Sequence, residues 1–361
     1  MPTPHTVSEA LTGVLAEAIQ QRVSPGFQWA YARLQDRHTV EGCAGRLSYE
    51  ETSPRVTTET VYDLASLTKV LTALTAVRLA ERGWVALGGD LSGVVDGPLG
   101  RMRLGALLSH RAGLAAWAPL YPWVGEATGA EAWARALEAL QATPRSAGED
   151  CPRAVYSDLG YILAGRALAS AAGLPLDALV AREVTGPLGL ARSLRFRGTG
   201  SAWRDPAVAP TEDCPWRGRV VQGEVHDENA YALGGVAGHA GVFGTAGALA
   251  TLGRSMLAAL AGQSPWLSAD AARAMIAPQP GGTHRLGWDG KSSTGASAGA
   301  RMSPATFGHL GFTGTSLWCD PEAGVAVALV SNRVHPRRDN LGIRALRPAF
   351  HDALMDALGR T

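Results

Sequence analysis

The hydrophobic positions divide the chain into two ends with strand patterns and a middle that is mainly helical. Dense or alternating apolar runs of strand length occur near both termini, whereas apolar residues recur at helical spacing between them. In chain order the predicted elements are a helix at 7–19, strands at 28–34 and 39–44, helices at 66–83, 131–140, 159–172 and 246–260, strands at 315–319 and 325–331, and a helix at 340–358. This order predicts an α+β fold.

The two groups of strands are expected to form one sheet. Strands at both ends of a chain with helices between them indicate an antiparallel sheet assembled from both termini and flanked by helices, with a mostly helical lobe inserted. We therefore predict a discontinuous sheet lobe of residues 1–65 and 285–361 and a helical lobe of residues 66–284. The stretches 197–219 and 278–304, rich in Gly, Ser and Pro, are predicted to be lids or connections.

Composition and charge narrow the class of function. The chain has 361 residues, 46% of them hydrophobic, and a net charge of +1 with no basic block. Nucleic acid and anionic membranes are therefore poorly supported as partners, and a small neutral substrate is easier to accommodate. The oligomeric state is not indicated.

Cellular location and metal content are addressed by three further features. No run approaches the length of an apolar membrane span, and the N-terminus lacks the charged and apolar segments of a secretory signal. The cysteines form no C-x-x-C pair, so no structural zinc site is expected; they are Cys43, Cys151, Cys214 and Cys319. We expect a cytoplasmic protein with free thiols.

Ser66 and Lys69 form the most informative pattern in the chain. They lie three residues apart at the start of a predicted helix, so the Lys69 ammonium can reach the Ser66 hydroxyl. The Ser66 N–H points out of the helix start, where the helix dipole favours negative charge. The pair supplies a nucleophile, a base and half of an oxyanion hole, although S-x-x-K also occurs by chance on solvated helices.

Tyr156 lies just before the predicted helix at 159–172. The dipole at a helix N-terminus favours the phenolate form there. A tyrosine beside a lysine can also take a proton from a serine and later return it. The simpler interpretation is a buried tyrosine with Ser157 or Asp158 as the helix N-cap.

His309 opens the second-to-last predicted strand, in the segment His309-Leu310-Gly311-Phe312. Gly311 allows a ligand to approach the backbone closely. The N–H of Phe312 can then complete an oxyanion hole with that of Ser66. A lone histidine is usually structural, so His309 is a candidate for substrate binding only because of its neighbours.

A glycine-rich run that contains His239 is predicted to line the substrate cleft, as is the segment that begins at His226. A metal site formed by His226, Asp227, Glu228 and His239 is conceivable, but adjacent residues rarely converge on one ion. We therefore expect no metal and no cofactor.

Two short patterns are rejected as sites of chemistry. Residues 295–299 match the G-x-S-x-G nucleophile elbow around Ser297, but that elbow needs a hydrophobic strand before it and a helix after it. Both flanks here are loop-like. Gly290-Lys291-Ser292 is similar to the end of a P-loop, but position 285 is Arg rather than the required Gly.

Three motifs in order resemble those of the serine β-lactamase and penicillin-binding-protein family: Ser66-x-x-Lys69, Tyr156-x-Asp158 and His309-x-Gly311. The likeness is to the branch that contains class C β-lactamases, D-alanyl-D-alanine peptidases and family VIII esterases. Residues 107–114, the 238–244 loop and Trp318-x-Asp320-Pro321 agree with it. The resemblance implies a β-lactamase/transpeptidase-like fold with the site in a cleft between the lobes.

The resemblance also implies a mechanism. Ser66 attacks a carbonyl to form an acyl-enzyme, while Lys69 and Tyr156 transfer its proton. The backbone N–H groups of Ser66 and Phe312 hold the oxyanion, and water then releases the acid. Which of Lys69 and Tyr156 is the base in acylation stays open.

Departures from the family motifs concern the substrate. Asp158 stands where Asn is usual, and a carboxylate can accept a hydrogen bond from Lys69 but cannot donate one to a substrate amide. His309 and Leu310 stand where Lys and Ser or Thr are common, which removes a permanent cation and a hydroxyl that would bind a substrate carboxylate. We therefore expect weak β-lactam turnover and esterase activity on small acyl esters. The alternatives are a β-lactamase or D-amino-acid peptidase or amidase, and a non-catalytic member that binds a ligand or acts as a scaffold.

Overall fold

The computed structural model describes residues 4–145, 153–198 and 207–359. Its α-helices are α1 Pro4–Gln20, α2 Thr68–Glu81, α3 Leu104–Leu108, α4 Tyr121–Val124, α5 Gly129–Ala142, α6 Asp158–Ala172, α7 Leu176–Val180, α8 Glu228–Ala232, α9 Ala246–Leu260, α10 Ala269–Ile276 and α11 Ile343–Ala357. Its strands are β1 Gly26–Arg33, β2 Val40–Gly45, β3 Tyr62–Asp63, β4 Leu194–Phe196, β5 Asp213–Cys214, β6 Arg219–Val220, β7 Val242–Gly244, β8 Asp289–Gly290, β9 Phe307–Leu310, β10 Ser316–Asp320 and β11 Val325–Ser331.

The largest sheet joins the two ends of the chain, as predicted. Its strand order is β2-β1-β11-β10-β9-β8, and every neighbouring pair is antiparallel. The N-terminal hairpin therefore pairs with the last strand, with Phe27 opposite Ser331 and Arg33 opposite Val325. The predicted α+β fold class is confirmed.

Helices cover both faces of this sheet. Val327 and Leu329 of β11 belong to a core cluster shared with α1 and α11, whereas Ala326 and Ala328 belong to the cluster that contains α9. This alternation follows from the two-residue period of a strand. Since both faces are covered, β11 is buried along its whole length and reads as a continuous apolar run.

The candidate site lies where the turn at residues 65–67, which contains Ser66, follows the edge strand of a second, smaller sheet. β3, which directly precedes that turn, belongs to a three-stranded sheet of order β3-β7-β4. Helix α2 follows the turn and is buried along most of its length, and Gly83 beyond it has φ +72° as the predicted C-terminal stop requires. The turn at residues 65–67 contacts β7 of this small sheet and β9 of the six-stranded sheet.

Several local predictions need correction. His309 does not open β10: it lies in a separate strand, β9, which is too short for its alternation to stand out in the sequence. The predicted connection at 197–219 contains β5 and the first residue of β6, and the one at 278–304 contains β8. Residues 199–206 lie outside the described residues. The division into lobes at residues 65 and 285 stays a prediction.

Cys43, Cys214 and Cys319 are free thiols, and Cys151 lies outside the described residues.

No single helix in the described ranges is long and apolar enough to cross a membrane. The pair α6 and Leu176–Thr185 passes that test only when the two are joined across an 80° bend.

Candidate active site

Ser66 lies in a tight turn that precedes α2, rather than in the first turn of the α-helix itself. Residues 65–67 form a 3₁₀ turn, and Ala65 has φ +47°, a left-handed conformation that is unfavourable for a residue with a Cβ. The Asp63 carboxylate accepts a hydrogen bond from the Ala65 N–H at 2.8 Å and so holds this conformation. The turn fixes the direction of the Ser66 side chain and N–H.

Lys69 is fully buried and faces Ser66. Its Nζ lies 2.9 Å from Ser66 Oγ, 2.6 Å from Asp158 Oδ1 and 3.2 Å from the His239 carbonyl oxygen. The predicted contact across one helical turn is therefore present, and so is the predicted pairing of Asp158 with Lys69. Burial lowers the pKa of Lys69, but Asp158 and Tyr156 raise it by more, so this pKa lies above its ordinary value.

Tyr156, which lies just before α6, also faces Ser66 and Lys69. Its hydroxyl lies near the side chains of Ser66 and Lys69, which both influence its pKa, and Lys69 Nζ lies 4.9 Å from the centre of its ring. The expectation of a phenolate is wrong: burial raises the pKa of Tyr156, and the lowering by Lys69 does not compensate. Ser157 is the N-cap of α6, with its Oγ accepting from the Gly160 N–H at 3.1 Å.

Histidine rings surround Tyr156. The His110 ring lies 4.5 Å from the Tyr156 ring, and its Nδ1 accepts a hydrogen bond from the Ser157 N–H at 2.9 Å. His284 and His309 lie 5.6 and 6.0 Å from the Tyr156 ring. Burial and neighbouring positive charge hold the pKa of His110 well below its usual range and lower that of His309 to about 3, so both rings are neutral near pH 7.

No sequence pattern indicated His284 or the contact made by His110. His110 lies in the segment 107–114, which contributes to the family resemblance only as a whole, and His284 lies in a stretch predicted to be a connection. The positive φ of His110, +60°, is the local sign of its special position, but it is visible only in the structure.

The turn between β9 and β10 supplies the second predicted oxyanion donor, Phe312. A Cβ at Gly311 would collide with Thr315 Oγ1 and the Leu64 carbonyl oxygen, so glycine is required for the turn to approach the nucleophile. In residues 4–145, 153–198 and 207–359, neither the Ser66 N–H nor the Phe312 N–H donates to another protein atom. Both donors therefore remain available to a substrate oxygen.

His226, Asp227, Glu228 and His239, considered above as a metal site, are engaged in separate contacts. His239 Nε2 lies 2.8 Å from Asp227 Oδ1, which also caps α8. His226 Nε2 lies 3.0 Å from Glu212, and Glu228 lies 2.6 Å from Arg338. Only its backbone carbonyl connects His239 to Lys69, and a substrate contact by the buried His239 ring stays a prediction.

These residues open onto a cleft of about 640 Å³. Of the predicted site residues, the cleft is lined by Ser66, Tyr156, Asp158, His239, Gly311 and Phe312. Lys69 is buried behind Ser66. His309 is buried and is not part of the cleft lining, and its Nδ1–H donates to the Leu310 carbonyl at 2.8 Å. Ser297, rejected as a nucleophile, also lines the cleft.

Two further groups of side chains line the cleft. Four arginines line one side, namely Arg333, Arg338, Arg344 and Arg347. Large apolar side chains that are about half exposed also line the cleft, namely Trp117, Phe312 and Leu341 at 47, 48 and 52%. The arginines lie near and on α11, far in sequence from any of the three motifs, so no local pattern links them to Ser66.

Comparison with known proteins identifies the family of the chain. The model of the family described as Beta-lactamase matches residues 13–349. The chain belongs to this family. Its members are serine hydrolases, including peptidases, esterases and β-lactamases, and the family and fold inferred from the motifs are confirmed.

Individual relatives carry more than one description. A protein of Escherichia coli O157:H7 named putative D-alanyl-D-alanine carboxypeptidase is 32% identical over 78% of this chain and 71% of its own length. A solved structure described as EstCE1, a hydrolase with promiscuous acyltransferase activity, superposes with a TM-score of 0.73 and 21% identity over 97% of this chain and 99% of its own. The structure of SurE with D-Leu has a TM-score of 0.72 and 23% identity, over 97% and 75% respectively. The two structures establish the fold alone.

Proposed function

We propose that this protein is a serine hydrolase that forms an acyl-enzyme on Ser66 and acts on small acyl esters. The observation that carries the proposal is the convergence on Ser66 Oγ of Lys69 Nζ, at 2.9 Å, and the Tyr156 hydroxyl. A nucleophile in contact with groups able to accept and return its proton is the requirement for acyl transfer.

Proton transfer in this site depends on the pair Lys69 and Tyr156 together. Both pKa values are raised, so near pH 7 the prevailing form is an ammonium beside a neutral phenol. The reactive form is the one in which the pair has lost one proton. That form accepts the Ser66 proton as Oγ attacks the carbonyl, and then protonates the leaving group. Which of the two atoms holds the proton in acylation stays open.

The oxyanion formed by this attack is proposed to lie between the N–H groups of Ser66 and Phe312. Both are free to donate, and neutral backbone donors stabilise a negative oxygen without themselves changing charge. Water then attacks the acyl-enzyme, with the same pair taking the proton of the water and returning it to Ser66.

Neutral esters are the favoured substrate class on two grounds. His309 is neutral and shielded from the cleft, and Leu310 carries no hydroxyl, so neither residue offers the carboxylate-binding groups common in the family. The half-exposed side chains of Trp117, Phe312 and Leu341 offer apolar surface to a substrate.

A second candidate function is hydrolysis of amides that carry a carboxylate, such as D-alanyl peptides. The observation that favours it is the set of arginines in the cleft. These side chains can bind a substrate carboxylate even though His309 and Leu310 lack the groups to do so. Arg344 is exposed and has no ion-pair partner among the described residues. The 32%-identical relative named as a carboxypeptidase points the same way. We also propose that the substrate is a small molecule and that the protein is cytoplasmic.

Parallel hydrolysis assays distinguish these functions. We would compare p-nitrophenyl acetate and butyrate with nitrocefin and a D-Ala-D-Ala peptide, using wild type, Ser66→Ala and, as a matched control in the same cleft, Ser297→Ala. Ester cleavage that is lost in Ser66→Ala but kept in Ser297→Ala supports the proposal. Faster turnover of the carboxylate-bearing substrates would support the second candidate. No turnover and no fluorophosphonate adduct on Ser66 would favour a non-catalytic member.

A further inference from the structure

We propose that Thr313 is a positioning residue whose hydroxyl sets the separation between the two oxyanion-hole N–H groups, by hydrogen bonding to the backbone carbonyl of Asp63, three residues before Ser66. The inference rests on the proposed function, since it concerns how the site for that reaction is held together. It assigns a role to a residue that belongs to none of the three motifs.

The two N–H groups lie in turns that adjoin different sheets. Ser66 follows β3, which belongs to the three-stranded sheet, whereas Phe312 lies between β9 and β10 of the six-stranded sheet. Within the described residues no strand pairing joins these two sheets. The relative position of the donors must therefore be set by other contacts.

Two threonine hydroxyls supply a direct connection. Thr313 Oγ1 donates to the Asp63 carbonyl oxygen at 2.7 Å, and Thr315 Oγ1 donates to the Leu64 carbonyl oxygen at 3.1 Å. The acceptors lie two and three residues before Ser66, and Thr313 is the residue next to Phe312. Both threonines are buried, so water does not compete for these bonds.

Asp63 is itself held rigidly on the nucleophile side. Its carboxylate is buried and accepts from the Ala65 N–H at 2.8 Å and from the His226 N–H at 2.6 Å. The first bond maintains the left-handed conformation of Ala65 that orients Ser66. A displacement of the Asp63 carbonyl would therefore be passed to the Ser66 N–H.

The turn is held equally firmly on the other side. Arg333 Nε donates to the Phe312 carbonyl oxygen at 2.8 Å, and the Arg333 N–H donates to the Thr313 carbonyl oxygen at 3.0 Å. The Phe312 ring lies between the Arg333 guanidinium, 4.6 Å from its centre, and the His226 ring, 5.7 Å away and nearly parallel. The Thr313 hydroxyl thus joins the segment that precedes Ser66 to the turn that carries Phe312.

Replacing Thr313 with Val tests this role, because Val has the same shape and lacks only the hydroxyl. Thr313→Ser keeps the hydroxyl and serves as the conservative variant. The matched control is Thr75→Val, which removes an equally buried hydroxyl that donates at 2.8 Å to the Leu71 carbonyl oxygen within α2. The assay compares kcat/KM for p-nitrophenyl butyrate, inhibition by a boronic acid that forms a tetrahedral adduct on serine, and the thermal unfolding midpoint.

We expect Thr313→Val to lower kcat/KM by about 10- to 100-fold, since small misplacements of oxyanion donors have effects of that order. The affinity for the boronic acid should fall by a similar factor, because its adduct places an oxygen in the same hole. Thr313→Ser should recover most of both, and Thr75→Val should change the unfolding midpoint only. If Thr313→Val does not fold, Thr315→Val is measured instead, with a smaller loss expected in the same two quantities.

The proposal is overturned if Thr313→Val keeps wild-type kcat/KM and boronic acid affinity, or if Thr75→Val reproduces its losses. These results are distinct from failure of the proposed function, which would appear as absence of Ser66-dependent hydrolysis in the wild-type protein itself.

Discussion

Lys69 Nζ lies 2.6 Å from Asp158 Oδ1, so the lysine beside the candidate nucleophile has a carboxylate as its permanent partner. In the family motif this position is usually Asn, which carries no charge. The carboxylate stabilises the ammonium form of Lys69 and so works against its use as a base near pH 7. It also neutralises a buried charge that would otherwise be costly.

The first prediction concerns the pH profile. Because the pKa values of Lys69 and Tyr156 are both raised, kcat/KM for p-nitrophenyl butyrate should rise with pH from neutrality into the alkaline range. In Asp158→Asn, burial remains and lowers the pKa of Lys69, while the largest raising influence is gone. The rise should therefore begin at lower pH than in wild type. Rates are corrected with Ser66→Ala at each pH, and identical profiles for the two proteins would refute this explanation.

The second prediction concerns the Tyr156 hydroxyl. Tyr156→Phe removes the hydroxyl that lies near Ser66 and Lys69 but keeps the ring that packs against His110. We expect kcat/KM to fall by about 10²- to 10⁴-fold, the usual effect of losing a proton-transfer group. The unfolding midpoint should change little. Activity within a few-fold of wild type would leave Lys69 as the sole proton carrier.

The third prediction concerns stability at His110. His110→Ala leaves the buried Ser157 N–H without its acceptor, at a cost of about 1–3 kcal/mol in the free energy of unfolding. Urea denaturation measures this loss. His110→Asn is the matched variant, because Asn offers an acceptor oxygen and tolerates a positive φ better than Ala. Equal stability of the two variants would show that the hydrogen bond contributes nothing measurable.

The fourth prediction concerns the apolar side chains of the cleft. If Trp117 contacts the acyl chain, the two additional methylenes of butyrate over acetate should gain about 0.8 kcal/mol each on burial, and wild type should prefer butyrate. Trp117→Ala should then reduce the ratio of kcat/KM values for the two esters. Trp123→Ala, which alters a tryptophan 55% exposed but not in the cleft lining, is the control. An unchanged ratio in Trp117→Ala would place the acyl chain elsewhere.

The fifth prediction separates the two substrate classes through Arg344. This side chain is exposed, so Arg344→Ala should leave the unfolding midpoint unchanged. If neutral esters are the substrates, their kcat/KM should also be unchanged. A selective rise in KM for nitrocefin or a D-alanyl peptide would instead assign Arg344 to carboxylate binding and favour the peptidase alternative.

The contacts and elements that agree with the sequence predictions lie in short linear patterns. Ser66 and Lys69 are in contact because they lie one helical turn apart. The strand β11 has the predicted bounds because a continuous apolar run of strand length is typical of a strand buried on both faces of a sheet. The resemblance to known motifs added Tyr156, whose contact with Ser66 spans ninety positions and follows from no periodicity.

The residues that were missed act through contacts between distant segments. Asp63 accepts from the His226 N–H across 163 positions, and Thr313 reaches Asp63 across 250. Asp63 is the one charged residue in the apolar run before Ser66, and this is the only feature of the sequence that points to its role. The phenolate prediction for Tyr156 failed for a different reason, because the sequence shows the helix start but not the depth of burial.

The most direct test of the central claim is to trap the acyl-enzyme. Wild type, Ser66→Ala and Ser297→Ala would be mixed with p-nitrophenyl butyrate, quenched in acid during turnover, digested and analysed by mass spectrometry. We predict a butyryl group on the peptide containing Ser66 in wild type and Ser297→Ala, and no adduct in Ser66→Ala. Hydrolysis that persists in Ser66→Ala, or an adduct on any other residue in the wild-type protein, would contradict this account.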